Sequence, residues 1–474
     1  MKTIHPAVGV LFLLVGRGFG SDSFPAFVPT MRVVPGGGAG PAYSFEIGEF
    51  EVSNVEFAAF LNDAEANPGN ARGAFLRFDA TGDVGLTAGY DNAAFFDVSD
   101  TCDHREGGAC PVISYNRGAP VGSRYSVARG YEALPVVGVS WLGAVKFCNW
   151  LTIDQGLSED ARCYTEGPTH EDWFPVTTDK INWLARDLSD DERARLVAQR
   201  RGFRLPMDNL GYGSGPISYQ ENPYNEWYKA AAYDPAAPDD VRIGPGQERV
   251  SPDHWIYGMG RDALVNEDSN YRNSADAFEP WITPLGYYDG QNLMGDGRTR
   301  THANNNPWGI HDFCGNVTEW VQDQCLVPGY AAQRGGSFDD ASGGLSAANR
   351  SSDGIRRSSA DTGFRVLRVP GCTIDVRKTK ASVDNDGQVE IECKLVQEGP
   401  PVVGWFVSVR VTNVDTGRIR DVTLGPTSKR GSARKRMSLA SGAYLIEVTD
   451  VYDAYAYSCM PDPCRDCLAI VIVP

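Results

Sequence analysis

Asp312 and Glu319 are the residues whose type and spacing first indicate chemistry. Both lie in the segment HDFCGNVTEWVQDQ (311–324), on either side of a Gly-Asn pair. Carboxylates are hard oxygen donors, and calcium takes about six to eight oxygens from carboxylates, carbonyls and water. The segment therefore predicts a calcium site. The alternative is that both carboxylates only satisfy backbone groups in a loop-rich core.

Histidine, cysteine and serine could support redox or nucleophilic chemistry, but their spacing in this sequence does not indicate such a site. None of the histidines is paired at helical spacing, so no facial triad for iron is predicted; they are His5, His104, His170, His254, His302 and His311. No cysteine lies between Cys325 and Cys372. No Ser-His-Asp order can be argued, and Ser337 in RGGSF (334–338) is interpreted as a structural residue rather than a nucleophile.

A polar run, DDASGGLSAANRSSDGIRRSSADT (339–362), separates RGGSF from the apolar segment GFRVLR (363–368). Because both flanking segments resemble core motifs, the run must be a supported surface. Small, Asn, Asp, Ser and Arg side chains suit adaptable polar contacts. The predicted ligand-facing residues are Asp339, Asp340, Ser342, Asn349, Arg350, Asp353, Arg356 and Arg357. The alternative is an ordinary loop in which Arg350 and Arg357 form structural ion pairs.

Several elements must position these residues. Apolar alternation at Phe45, Ile47 and Phe50 predicts a strand. Ser53 or Asn54 is then expected to cap a helix whose apolar face includes Val55, Ala58, Phe60 and Leu61. Three further helices are predicted: one capped by Ser140 within 135–151, a charged amphipathic one over 181–200, and one over 225–235 that ends before a proline.

The sequence pattern changes at Pro370. Beyond it, period-two segments (TIDVRK, QVEIECKLV, WFVSVRVTNV, AYLIEVTDV and LAIVIV) are separated by turn signals, which is typical of an immunoglobulin- or fibronectin-like sandwich. A chain of 474 residues is too long for one compact core. The predicted organisation is a signal peptide over 1–20, a first domain over 21–369 and a β-sandwich over 370–474.

Charge and cysteine content indicate an exported protein. The formal net charge of −17 lies in the first 370 residues and argues against a nucleic-acid partner, which would need a basic surface. Lys2 followed by a short apolar stretch over 6–15 predicts a signal peptide cleaved near residue 20, with a disordered tail as the alternative. No other stretch is long enough to span a membrane, so a secreted, periplasmic or cell-surface location is expected.

Eleven cysteines are consistent with this compartment, in which several should be paired. Cys102 and Cys110 bracket a short loop, but the connectivity of the full set cannot be deduced. Cys314 and Cys325 are interpreted as a structural disulfide or as buried thiols.

An ordered set of motifs in the first 370 residues resembles one family, the sulfatase-modifying-factor or formylglycine-generating-enzyme domain. The matching pieces are EVSNVEFAAFLN (51–62), PVVGVSWLGAVKFCNWL (135–151), GFRLP (202–206), NEWYKAA (225–231), NPWGIHDFCGNVTEWVQD (306–323), RGGSF and TGFRVLR (362–368). The resemblance implies a loop-rich α+β fold of the C-type-lectin class. An insertion over 207–224 departs from the family pattern, and its role is open.

The resemblance also implies metal chemistry. Family members bind calcium at positions that correspond here to Asp312, Gly315, Val317 and Glu319, and at a second, more loosely matched set, Asn270, Tyr271, Asp289 and Gln291. Catalytic members use two copper-binding cysteines, which align near Asp340 and Leu345. A carboxylate and a leucine cannot provide the thiolates of a copper(I) site. We therefore expect calcium but no copper, and no formylglycine-generating activity.

The sequence thus predicts an exported, non-catalytic protein that binds a protein or glycan ligand through residues 339–362. Two alternatives remain open. One is an enzyme of the same superfamily with an unknown reaction. The other is a ligand-display protein diversified by a retroelement, since the polar run resembles the variable region of such proteins; a variable region usually lies at the chain end, however, whereas a β-domain follows here.

Overall fold

The computed structural model describes residues 29–35, 41, 44–87, 94–176, 201–208, 225–237, 242–244, 247–248, 253–324, 329–369, 374–384, 386–397, 404–452, 458–459 and 468–473. The predicted signal peptide (1–20), the predicted helix over 181–200 and all but the first two residues of the insertion (207–224) lie outside these ranges. Among the described residues, no helix is long and apolar enough to cross a membrane.

The described residues contain three α-helices, each preceded by a side-chain N-cap. Helix α1 (Asn54–Ala66) carries a capping box, in which Ser53 Oγ accepts from Glu56 N and Glu56 Oε2 accepts from Ser53 N. Helix α2 (Trp141–Asp154) begins after Ser140, whose Oγ accepts from Gly143 N. Helix α3 (Glu226–Ala232) begins after Asn225, whose Oδ1 accepts from Tyr228 N. The predicted capping residues of α1 and α2 are confirmed.

The prediction that Val55 belongs to the apolar face of α1 is wrong. Val55 is 50% exposed, whereas the buried face of α1 is formed by Phe57, Leu61 and Ala64 with Ala58 and Phe60 beside them. At about 100° per residue, Val55 lies on the opposite side of the helix from Phe57.

The strands up to residue 369 are short. They are β1 (Met31–Val34), β2 (Phe45–Gly48), β3 (Leu76–Phe78), β4 (Val84–Leu86), β5 (Ala94–Phe96), β6 (Ile113–Tyr115), β7 (Tyr125–Val127), β8 (Arg242–Gly244), β9 (Gln247–Glu248), β10 (Thr318–Gln324), β11 (Tyr330–Arg334), β12 (Ser351–Gly354), β13 (Thr362–Gly363) and β14 (Leu367–Arg368). The predicted strand at Phe45 is confirmed as β2, although it ends before Phe50.

Two of their sheets connect the motifs. Strands β1-β2-β14 form one antiparallel sheet, so the end of GFRVLR pairs with Phe45–Gly48. The second sheet has the order β12-β11-β10-β13, with β10 and β13 parallel. It therefore places the end of the carboxylate-bearing segment (β10), the strand that leads into RGGSF (β11) and part of the polar run (β12) side by side. The smaller sheets β3-β4-β5, β6-β7 and β8-β9 complete this part.

Helices α1 and α2 pack with the small sheets around one aromatic-rich core. Phe57, Phe147 and Phe364 lie in mutual ring contact there, so both helices are joined to the GFRVLR segment. Trp320 also belongs to this core, and its Nε1 donates to Val139 O at 2.9 Å.

Beyond residue 370 the chain is built from antiparallel strands. They are β15 (Ile374–Val383), β16 (Val389–Gln397), β17 (Phe406–Asn413), β18 (Ile419–Leu424), β19 (Ser432–Met437), β20 (Gly442–Tyr452), β21 (Ser458–Cys459) and β22 (Leu468–Val473). They form a sheet β15-β16-β19 and a sheet β18-β17-β20-β21 in which β22 also pairs with β20. Inward-facing residues of both sheets form one apolar cluster, which includes Ile391, Val409 and Ile446.

The five predicted period-two segments are confirmed as β15, β16, β17, β20 and β22. Strands β18 and β19 lack a clear apolar period, and the sequence pattern did not predict them. Strand β19 has the sequence SARKRM and buries only Ala433 and Met437, because its remaining side chains face solvent.

The cysteines whose side chains the structure describes follow two patterns. Cys102 and Cys110 form a disulfide that closes the loop predicted from their spacing. Cys148, Cys163, Cys314 and Cys393 are buried thiols. Cys314 is therefore a buried thiol, which was one of its two interpretations, whereas Cys325 lies outside the described residues.

Candidate functional site

Glu319 lies at the centre of a buried ionic site beneath the motifs. Strand β10 directs its side chain inward, where Oε1 accepts from Arg365 Nε at 2.7 Å and also from Arg365 Nη2. Its other oxygen, Oε2, accepts from Trp227 Nε1 of α3 at 2.7 Å. Glu319 thus joins three of the motifs, and both of its carboxylate oxygens already have donors.

Glu51 and Asp312 are the other carboxylates of this site, which we call the acidic cluster (Glu51, Asp312 and Glu319 around Arg365). Glu51 Oε2 lies 3.8 Å from Arg365 Nη2, is buried, and has no hydrogen-bond partner among the described residues. Asp312 Oδ2 accepts from Gly286 N at 2.8 Å. The guanidinium thus faces three buried carboxylates, so negative charge is in excess if all are ionised.

The electrostatics reflect this excess. Burial, followed by the charge of Asp312, raises the pKa of Glu51 well above its usual range. Burial also raises the pKa of Asp312, although Gly286 N stabilises its charged form. An additional cation beside Glu51 and Asp312 would stabilise both ionised groups.

A calcium ion fits only part of the first predicted set. Glu319 is already bound by Arg365 and Trp227, so Asp312 and the backbone carbonyls of Gly315 and Val317 would have to supply most of the oxygens, together with Glu51. Within the described ranges, no group of three or more His, Cys, Asp or Glu side chains is arranged to hold a metal ion. Backbone and solvent oxygens would therefore be essential.

The second predicted set is divided between the interior and the surface. Asn270 and Tyr271 are buried: Asn270 Nδ2 donates to Trp281 O at 3.0 Å, and Tyr271 Oη donates to Asn266 Oδ1 at 2.6 Å. Asp289 and Gln291 are exposed, and Asp289 Oδ1 accepts from Gln291 N at 2.7 Å in its own turn. The hydrogen bonds of Tyr271 and Asp289 hold their own loops together, whereas Asn270 also joins its loop to the carboxylate segment: its Nδ2 donates to Asn316 Oδ1 at 3.3 Å and its O accepts from Asn316 N at 2.8 Å.

Gly315 explains why the motifs lie so close together. It has a φ of +75°, donates from its N to Gly335 O at 3.0 Å, and leaves no room for a Cβ, which would collide with Asn270 O. The backbone of the carboxylate segment can therefore pack directly against both RGGSF and residue 270.

The two positions that align with the family's copper cysteines are used structurally. Leu345 is fully buried in an apolar cluster with Cys314. Asp340 Oδ2 accepts from Ser337 N at 2.9 Å and from Ser337 Oγ at 3.2 Å. Cys314 Sγ donates to Leu345 O at 2.9 Å, and burial raises the pKa of this thiol to about 12, which keeps it protonated at neutral pH.

Arg334, the first residue of RGGSF, supports the polar run from beneath. It is 1% exposed, and its Nη1 donates to the carbonyl oxygens of Ala347, Ala348 and Asn349 at 3.1, 3.1 and 3.0 Å. Its Nε donates to the buried carboxylate of Asp208 at 3.1 Å. The Ala347 N–H also donates to Ile256 O at 2.9 Å. The backbone at 347–349 is therefore fixed by buried groups.

The outward side of residues 339–362, which we call the display face, holds most of the predicted ligand-facing residues. Asp339, Ser342, Asn349, Arg356 and Arg357 are exposed, and Asp353 is half-buried. Across the face, Asp339 pairs with Arg272 at 3.2 Å and Arg357 pairs with Asp353 at 3.9 Å.

Two of the predicted ligand-facing residues point inward instead. Asp340 binds Ser337, and Arg350 Nε lies 2.7 Å from Asp208 Oδ2 with only 18% of its side chain exposed. The structural ion pair considered as an alternative for Arg350 is therefore present.

Sequence reasoning missed Glu51, Asp208, Arg334 and Arg365 as site residues. Glu51, Arg334 and Arg365 lie within the quoted motifs EVSNVEF, RGGSF and GFRVLR, so a charged residue in an otherwise apolar motif was a usable signal. Asp208 had no such signal, because it lies at the start of the insertion and meets Arg334 only in the folded chain.

Comparisons with solved structures find several similar chains. The chain is similar to Treponema denticola variable protein 1 (17% identity, 72% of this chain and 95% of that chain covered, TM-score 0.35) and to CarF (18%, 69% and 87%, 0.37). It is also similar to PvdO from Pseudomonas aeruginosa (15%, 69% and 82%, 0.33). No curated protein matches the sequence.

A profile of the sulfatase-modifying factor enzyme 1-like domain matches residues 41–370, which is more than half of the chain. This range contains every motif that meets at the acidic cluster and beneath the display face. The chain therefore belongs to the family of the sulfatase-modifying factor enzyme 1-like domain.

Proposed function

We propose that this protein is a non-catalytic member of its family and binds a protein or glycan ligand through the display face. The observation that carries the proposal is the contrast at residues 347–349. Their carbonyls are held by the buried guanidinium of Arg334, while neighbouring side chains such as Asn349 are exposed. A fixed backbone with small polar side chains offers contacts at low cost in conformational entropy.

The absence of a cysteine pair at residues 340 and 345 supports the non-catalytic part of this proposal. The family's oxidation requires two thiolates on copper(I), but Leu345 offers no ligand and Asp340 is bound to Ser337. Neither residue can form a mixed disulfide with a substrate cysteine. The buried thiol of Cys314 donates to Leu345 O and is protonated at neutral pH.

We also propose a structural calcium ion at the first predicted set. This set consists of Asp312, Glu319 and the carbonyls of Gly315 and Val317, and Glu51, which the sequence did not suggest, would add a further carboxylate beside Asp312. The excess of buried carboxylates over the one guanidinium supports this assignment. When bound, the ion would neutralise this excess. The second set (Asn270, Tyr271, Asp289 and Gln291) is proposed only as a comparison site.

The same proposal includes three further features. The protein is exported, residues 21–369 have a C-type-lectin-like arrangement, and residues 370–474 have an immunoglobulin- or fibronectin-like arrangement. The two antiparallel sheets with a shared apolar cluster support the last of these. The disulfide between Cys102 and Cys110 is consistent with an oxidising compartment.

Two experiments test the proposal. In the first, the purified protein is incubated with a sulfatase-type cysteine peptide, with and without copper, and the peptide is analysed by mass spectrometry. We expect an unchanged thiol. Conversion of the cysteine to an aldehyde would overturn the non-catalytic assignment.

In the second, the full chain is applied to a glycan array and to an array of secreted proteins. A variant carrying Asp339→Ala, Ser342→Ala and Arg356→Ala serves as the comparison, and Arg298→Ala, an exposed change on another loop, is the control. We expect a ligand whose binding is lost in the triple variant but kept in the control, at unchanged melting temperature. Equal binding by all three proteins would show that the display face is not the site.

The alternatives remain distinguishable. An enzyme with an unknown reaction would require a reactive group in a cleft, and the titratable groups of the acidic cluster are buried instead. Diversification by a retroelement would require sequence variation confined to exposed positions of the display face. Sequencing the gene from related isolates measures that variation directly.

A further inference from the structure

Cys148 and Cys163 are two fully buried thiols of the same core, and the family assignment gives them no role. Cys148 lies on α2, and Cys163 lies in the segment that follows this helix. Asn149 and Tyr164, the residues that follow the two cysteines, are joined by two hydrogen bonds: Asn149 Nδ2 donates to Tyr164 O at 2.9 Å, and Tyr164 N donates to Asn149 Oδ1 at 3.2 Å.

A second set of contacts, made by Thr152 and by Cys163 itself, connects α2 and Cys163 to the segment at Gly202 and Phe203. Thr152, one turn after Cys148 on the same face of α2, donates from its Oγ1 to Cys148 O at 2.9 Å and accepts from Phe203 N at 2.9 Å. Cys163 Sγ donates to the carbonyl oxygen of Gly202, the residue before Phe203, at 3.3 Å. Hydrogen bonds of the neighbouring residues therefore hold the turn of α2 that carries Cys148 close to the segments around Cys163 and Gly202.

From this geometry we propose that Cys148 and Cys163 form a second disulfide in the exported protein. The bond would connect α2 to the segment before Tyr164. In the reaction, one thiol loses its proton and attacks a disulfide of an oxidoreductase or of a small thiol compound. The first attack expels one external thiolate and leaves a mixed disulfide. The second protein thiolate then attacks the protein sulfur of this mixed disulfide and expels the other external thiolate, so that two protein thiols are oxidised and one external disulfide is reduced to two thiols.

Burial determines when this bond can form. Burial, and then the proximity of Cys163, raises the pKa of the Cys148 thiol, so the attacking thiolate is scarce once the core has closed. We infer that the bond forms during folding, while α2 is still accessible. The thiols of Cys314 and Cys393 serve as internal comparisons, because burial raises the pKa of each to about 12 and the structure gives no cysteine contact for either within its described residues.

The test uses the full chain after export to a bacterial periplasm. The protein is denatured without reductant in iodoacetamide, digested and analysed by mass spectrometry. We expect a linked pair of peptides containing Cys148 and Cys163, two hydrogens lighter than the sum of the free peptides. The Cys102–Cys110 loop is the positive control, and alkylated Cys393 is the negative control.

The variants Cys163→Ala and Cys314→Ala sharpen the result. Cys163→Ala should leave Cys148 alkylated, whereas Cys314→Ala should leave the linked peptides intact. Alkylation of both Cys148 and Cys163 in the wild-type protein, or a link from either to a different cysteine, would overturn the proposal. The measurement on the wild-type chain does not depend on whether either variant folds.

Discussion

Arg334 Nε donates to Asp208 Oδ1 at 3.1 Å, and both side chains are fully buried. The same guanidinium binds the carbonyls of Ala347, Ala348 and Asn349, so one ion pair connects the start of the insertion to the backbone of the display face. The stability of this face should therefore depend on a residue that does not reach the surface.

The first prediction concerns this ion pair. Arg334→Ala should lower the free energy of unfolding by about 3–5 kcal/mol, because it leaves the buried carboxylate of Asp208 with one of its arginines missing. Arg357→Ala, at a side chain that is 72% exposed, should change it by less than about 0.5 kcal/mol. Urea unfolding measures both. Equal effects of the two changes would show that the ion pair does not support the face.

The second prediction concerns calcium. If the ion binds only the folded protein, added calcium should raise the melting temperature and a chelator should lower it. Asp312→Asn should abolish this response, whereas Asp289→Asn at the second set should leave it intact. The conservative change keeps the left-handed backbone at residue 312, which has a φ of +59° and which asparagine tolerates. Identical wild-type melting curves in calcium and in chelator would exclude the first site.

The third prediction concerns pH. His254 is buried against Tyr228 and Tyr233 and near Lys229, and burial, followed by the charge of Lys229, lowers the pKa of His254 from 6.5 to about 4. In this interval the unfolded chain binds a proton that the folded chain does not. His254 therefore makes its full contribution to the free energy of unfolding above pH 6.5. This contribution, up to about 3 kcal/mol, is lost as the pH falls to about 4.

His254→Phe is the matched variant for this measurement, because it keeps an aromatic ring but cannot titrate. The raised pKa values of Glu51 and Asp312 act in the opposite direction in acid, since the folded chain then binds protons more readily. Subtracting the variant's pH–stability curve from that of the wild type removes their contribution. A flat difference between pH 4 and 6.5 would contradict the assignment.

The fourth prediction concerns export. The charged and apolar pattern of residues 1–20 should direct secretion, and the mature chain should begin near Ser21. Edman degradation of the secreted protein identifies the first residue. Recovery of a mature protein that still begins at Met1 would count against a cleaved signal peptide.

Local features of this fold could be read from the sequence. Ser53 and Ser140 cap helices because each provides a side-chain oxygen for the first free N–H groups, which depends only on neighbouring residues. The strands after residue 370 with clear apolar alternation were also predicted. Strand β19 was not, because its only apolar side chains are Ala433 and Met437 and its pairing with β16 determines that it is a strand.

The site itself was decided by tertiary structure. The sequence indicated Asp312 and Glu319 as candidate metal ligands. The contacts that determine whether these carboxylates are paired, however, are with residues distant in the chain. Glu319 meets Arg365 and Trp227, and Glu51 joins them from the start of the chain. Likewise, Asp340 and Arg350 were indistinguishable from exposed neighbours until the fold turned them toward Ser337 and Asp208. Composition and spacing determine which charges are available, whereas burial and long-range pairing determine which of them are neutralised and which face solvent.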